Sequence, residues 1–77
     1  MRVLEDDGGL CWDVVLGRES WGAFYVLFVP REGDDEDREA RKAILGASAQ
    51  EEASAELSRM DRVELLELLS GSVPKGD

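Results

Sequence analysis

The hydrophobic pattern is densest over residues 21–29, Trp21-Gly22-Ala23-Phe24-Tyr25-Val26-Leu27-Phe28-Val29, apolar at every position except the Tyr25 hydroxyl and stopped by Pro30. At a period of two, one face carries Trp21, Ala23, Tyr25, Leu27 and Val29, and the other Gly22, Phe24, Val26 and Phe28. Neither face is polar, so a strand here needs cover on both sides, from its own chain or from another molecule. Residues 10–16 contrast with it. Leu10, Trp12, Val14 and Leu16 alternate with Cys11, Asp13 and Val15, which predicts a half-buried strand. Residues 2–5 read as a short first strand, joined to the second through Asp6-Asp7-Gly8-Gly9, whose glycines tolerate the positive φ of a tight hairpin. Gly17-Arg18-Glu19-Ser20 supplies the second turn.

Pro30 removes a ladder donor, and Arg31-Glu32-Gly33-Asp34-Asp35-Glu36-Asp37 is too charged to pack, so 31–37 reads as an acidic, solvated loop. Residues 38–46 admit two readings. Ala40, Ala43, Ile44 and Ala47 fit a helical stripe with Gly46 past its end, whereas an edge strand would return across the loop to pair with 21–29. The strand is favoured because 21–29 needs hydrogen-bonded neighbours. Ser48-Ala49-Gln50-Glu51 matches a capping box and predicts a helix with Ala49, Ala53, Leu57 and Met60 on its apolar stripe. Asp61 and Glu64 repeat the cap pattern, which predicts a break near Met60. The second piece sets Val63, Leu65, Leu66, Leu68 and Leu69 against Arg62, Glu64 and Glu67. Gly71 is expected at its C-terminal stop, with 71–77 a flexible tail. The expected fold is α+β: a small antiparallel meander of three to four strands with a C-terminal helix or bent helix pair packed on one face.

At 77 residues a single small domain is expected, and such a domain buries only about 60 to 65% of the surface its unfolded chain exposes. Disulfides, metals or oligomerisation commonly supplement so small a core. One cysteine excludes an internal disulfide, and the absence of histidine removes the usual zinc, iron and copper ligand sets. Association remains. The apolar run falls far short of the roughly 20 residues of a membrane-spanning helix. Glu5, Asp6 and Asp7 interrupt the N-terminus before an apolar signal region forms, so a cytoplasmic location without membrane insertion is expected. Nine Lys and Arg against eighteen Asp and Glu give a net charge of −9. That charge repels phosphate backbones and argues against nucleic-acid binding, while leaving a basic protein surface as a compatible partner. It also serves solubility alone.

Candidate chemistry is sparse, and no cofactor or metal site is expected. Cys11 has no histidine to generate its thiolate, so it reads as a small packing residue. Ser20 lacks both the glycine spacing of a nucleophile elbow and a base. Asp34, Asp35, Glu36 and Asp37 have the composition but not the register of an EF-hand loop, which leaves at most weak binding of calcium or magnesium. A pair of acid and base carboxylates would need a cleft that a chain of this size does not build. Gly8-Gly9 precedes a strand rather than a helix and does not form a phosphate cradle. Trp12 and Trp21 read as core or interface aromatics rather than base-stacking platforms.

The expectation is therefore a non-enzymatic protein–protein interaction module, either a homo-oligomer or a small accessory subunit. Arg18, Trp21, Phe24, Tyr25, Val26 and Phe28 are its candidate partner-binding residues. The alternative is an acidic regulator or inhibitor, antitoxin-like or nucleic-acid-mimicking, that occupies a basic partner surface. The stretch Gly17-Arg18-Glu19-Ser20-Trp21-Gly22 resembles segments of short bacterial proteins, a likeness that implies no activity.

Overall fold

In a computed structural model, which describes residues 2–31 and 39–75, the alternating segment and the apolar run become the two longest strands and pair antiparallel. The elements are β1 (Arg2–Glu5), β2 (Cys11–Arg18), β3 (Phe24–Pro30), β4 (Arg41–Ile44), α1 (Gln50–Arg59), α2 (Arg62–Ser70) and β5 (Val73–Pro74). They form one sheet in the order β1-β2-β3-β4-β5, with every neighbouring pair antiparallel. The helices, inserted between β4 and β5, pack on one face of it: α1 against β2 and β3, α2 against β1 and β4. This is the expected α+β meander with a bent helix pair.

The first two hairpins share one turn. In 6–9 the Gly9 N–H donates to the Asp6 carbonyl at 3.0 Å, and in 19–22 the Gly22 N–H donates to the Glu19 carbonyl at 2.9 Å. Each turn ends on a glycine in the left-handed region, Gly9 at φ 84° and Gly22 at φ 104°. This is the hairpin whose bulge glycine twists the two strands back into register. Its second copy explains where β3 begins. Trp21 and Gly22 are consumed by the turn, so the strand starts at Phe24 rather than at Trp21. In the first copy the Asp6 carboxylate accepts from the Gly8 and Leu10 backbone N–H groups, both at 2.9 Å, and from Trp12 Nε1 at 3.1 Å.

Leu4, Trp12, Val14, Phe24, Val26 and Phe28 from the sheet meet Leu45, Ala47, Ala53, Leu57 and Leu65 in the core. Val26 and Phe28 are completely buried. Leu16, Ala43, Met60, Leu66, Leu68 and Leu69 pack around this centre.

Residues 38–46 resolve to a strand over Arg41–Ile44, but it is not the edge. The expected tail supplies β5 beyond it, with Lys42 opposite Val73. Arg41 holds this strand in place: Nε donates to Ser72 Oγ at 2.8 Å and Nη2 to the Ser72 carbonyl at 2.6 Å. The buried Ser72 hydroxyl donates in turn to the Leu69 carbonyl at 2.6 Å, and the Lys75 N–H reaches the Ala40 carbonyl at 2.8 Å.

The two helix starts differ. Asp61 and Glu64 form a full capping box, with the Glu64 N–H donating to Asp61 Oδ1 at 2.9 Å and the Asp61 N–H to Glu64 Oε1 at 3.2 Å. Ser48 does not cap α1. The N-cap is Ala49, without a side-chain hydrogen bond, and the Ser48 N–H and hydroxyl meet Glu52 Oε1 at 3.3 and 3.4 Å. Gly71 ends α2 at φ −94°, outside the left-handed region, its N–H donating to the Glu67 carbonyl at 3.1 Å. No helix among the described residues is long and apolar enough to cross a membrane.

Candidate interaction surface

The alternation that turns Phe24, Val26 and Phe28 under the helices turns Tyr25, Leu27 and Val29 to the other side of the sheet. Strand register assembles their neighbours. Val15 and Lys42 flank Leu27, with Val73 beyond Lys42. Gly17 and Ile44 flank Tyr25, and Asp13 flanks Val29 with Val3 beyond. Both helices lie on the opposite face, so among the described residues nothing covers this one. Its centre is half-buried, and exposure rises outward to 51% at Val3, 53% at Ile44 and 54% at Val73.

Four of the charges on this face lie in two pairs. Arg31 Nε approaches Asp13 Oδ1 at 3.7 Å, and Lys42 pairs with Glu19. Lys42 Nζ also stands 5.3 Å from the centroid of the Tyr25 ring, a cation–π arrangement that orients both side chains. The ring itself covers Gly17. Cys11 shares the face, opposite Glu5 and half-buried.

The residues singled out from sequence do not form one surface. Tyr25 faces outward and Trp21 is 73% exposed in the 19–22 turn. Arg18, exposed at the end of β2, holds its guanidinium 5.9 Å from the centroid of the Phe24 ring. Phe24, Val26 and Phe28 belong to the chain's own core and leave the candidate surface, because the helices choose that face of β3. In their place stand Val3, Val15, Leu27, Val29, Lys42, Ile44 and Val73. Period-two alternation alone would have grouped Leu27 and Val29 with Tyr25, whereas Ile44 and Val73 could be reached only once β4 and β5 were known to be strands.

Among the described residues no group of three or more Cys, Asp and Glu is placed to hold a metal ion. The acidic stretch Asp34, Asp35, Glu36 and Asp37 lies outside the described residues. A surface depression runs along the first turns of α1, lined by Ala49, Gln50, Glu51, Ser54 and Ala55, with no base beside its carboxylate in that lining. No family model matches the chain, and no curated protein or solved structure is significantly similar to it.

Proposed function

We propose that the chain is a non-enzymatic protein–protein interaction module, a homo-oligomer or a small accessory subunit, that associates through the outer face of its sheet. One observation carries this reading: the rows centred on Val15, Leu27 and Tyr25 form an apolar face that no part of the described chain covers. Removing apolar surface from water contributes about 25 cal/mol per Å². Over several hundred Å² that gross term is comparable with the stability of a small domain, about 5 to 15 kcal/mol. The proposed setting is the cytoplasm, where the single thiol stays reduced.

Sedimentation of the full chain over a range of concentrations tests the reading. The expected result is a mass above that of one 8.5 kDa chain, or the summed mass of chain and partner once a protein partner is supplied. A monomer at high concentration that binds no apolar dye would count against it.

A second reading draws on a separate observation. Glu51, Glu52, Asp61, Glu64 and Glu67 occupy exposed positions on or beside α1 and α2, so much of the acidity lies on the helical side, away from the apolar face. An acidic regulator or inhibitor would engage a basic partner there. Salt separates the two: apolar association persists toward molar salt, whereas binding through the helical acids fades as the Debye length shrinks from about 10 Å at 0.1 M to about 3 Å at 1 M.

A further inference from the structure

We infer that the occupant of the outer sheet face is a second copy of this chain, packed sheet against sheet about a two-fold axis. The inference rests on the interaction reading above and commits it to one partner.

Charge distribution is the first reason. Among the described residues the outer face carries three carboxylates, Glu5, Asp13 and Glu19, and two cations, Arg31 and Lys42, four of these five tied into two ion pairs. The described residues hold twelve acids against eight bases, and of that net charge of −4 one lies on this face and three lie elsewhere. A basic partner finds little here to bind. A second copy brings an equally neutral, apolar face. Stacking sheet on sheet also puts the two acidic helical layers on the outside, about 30 Å apart at about 10 Å per layer. That is several Debye lengths at physiological salt, so the high net charge opposes this assembly far less than it would one made through the helices.

Shape and symmetry supply the second. Val3, Val15, Val29, Ile44 and Val73 surround Leu27, the compact branched side chains that interdigitate between stacked sheets. A two-fold axis along β3, the middle strand of five, sets β2 of each copy over β4 of the other. Val15 then meets Lys42 of the second copy, and Gly17 meets its Ile44. Leu27, at the middle of β3, lies beside the axis and meets its own equivalent, as an isologous interface requires. The strands hold five residues each on average, and at about 4.8 Å between strands and about 3.3 Å per residue the sheet spans roughly 400 Å² before side-chain relief is added. This is about half of the about 800 Å² per partner of a standard interface.

The test is sedimentation equilibrium on the full chain, on Leu27→Asp, and on Leu27→Cys in a Cys11→Ser background treated with a short bis-maleimide. The wild type is expected at the mass of two chains, unchanged between roughly 0.1 and 1 M sodium chloride. Leu27→Asp is expected to weaken association by at least about 100-fold, because it buries two like charges beside the axis, while the circular dichroism of the fold is retained. The Leu27→Cys chain is expected to cross-link to a covalent dimer, and this decides the matter if Leu27→Asp does not fold. A wild-type monomer, a dimeric Leu27→Asp, or a Leu27→Cys chain that stays uncross-linked overturns the inference. If the wild type is monomeric but binds an apolar dye that Leu27→Asp no longer binds, the self-pairing fails while the interaction reading stands. A monomer without dye binding overturns both.

Discussion

The Tyr25 ring stands where a Gly17 side chain would be: a Cβ built on Gly17 meets Tyr25 Cε1 at 2.3 Å and Cζ at 2.4 Å. The two residues are directly paired across β2 and β3, so the aromatic shields a stretch of backbone that glycine leaves bare. Gly17→Ala should expel the ring and separate it from Lys42. Because the colliding atoms are the far end of a side chain that can turn outward, the folding cost should stay at about 1 kcal/mol. Urea denaturation measures that cost, and loss of Tyr25 fluorescence anisotropy in a Trp-free background reports the freed ring.

Phe24 and Tyr25 are adjacent in sequence and opposite in role. Phe24→Ala opens the core and should cost about 3 to 5 kcal/mol of folding stability. Tyr25→Ser should leave the midpoint of thermal unfolding of the isolated protomer within a few degrees of the wild type, while weakening association. Paired denaturation and sedimentation of the two variants check this. Equal effects of both on folding would contradict the facing assigned to β3.

The helix starts predict an asymmetry. Asp61→Ala removes the acceptor of the Glu64 N–H and should destabilise by about 1 kcal/mol. Ser48→Ala removes only a 3.4 Å contact with Glu52 and should fall within about 0.5 kcal/mol of the wild type. Chemical denaturation of both variants makes the comparison.

Arg41 is expected to govern β5. Arg41→Leu deletes both hydrogen bonds to Ser72. It should release the strand at a cost of about 1 to 3 kcal/mol, leaving the buried serine with one partner fewer. Hydrogen exchange at the Lys75 amide, which donates to Ala40, is the local readout and should accelerate ahead of the amides of β2 and β3.

What the sequence disclosed was set by the range of the interactions involved. Trp12, Val14 and Leu16 alternate with Cys11, Asp13 and Val15, and the charge of Asp13 marks the outward side, so the inward face of β2 could be read directly. Asp61 and Glu64 satisfy each other within one turn, and that helix start was equally legible. Both faces of 21–29 are apolar, however, and only the docking of α1 and α2 decides that Phe24 turns inward and Tyr25 outward. Trp21 looked like strand because the bulge that removes it depends on the φ of Gly22. The strand at Val73–Pro74 was missed because two residues have no period, and its anchor, Arg41, lies 31 positions from Ser72. The interaction surface inherited these gaps: Leu27 and Val29 were visible as an alternating set, whereas Ile44 and Val73 joined it only through strands fixed from a distance.

The two margins of the sheet are poor templates for further strands. One is β1, four residues long, and the other is β5, two residues long and ending on Pro74, which has no N–H to offer a neighbour. Lateral growth by strand addition, the route to fibrils, is therefore blunted on both sides. A face that pairs with its own copy is used up in doing so. Joined to such margins, the proposed pairing would give an assembly that terminates at two sheets, and a small protein with an apolar sheet face would keep a finite size.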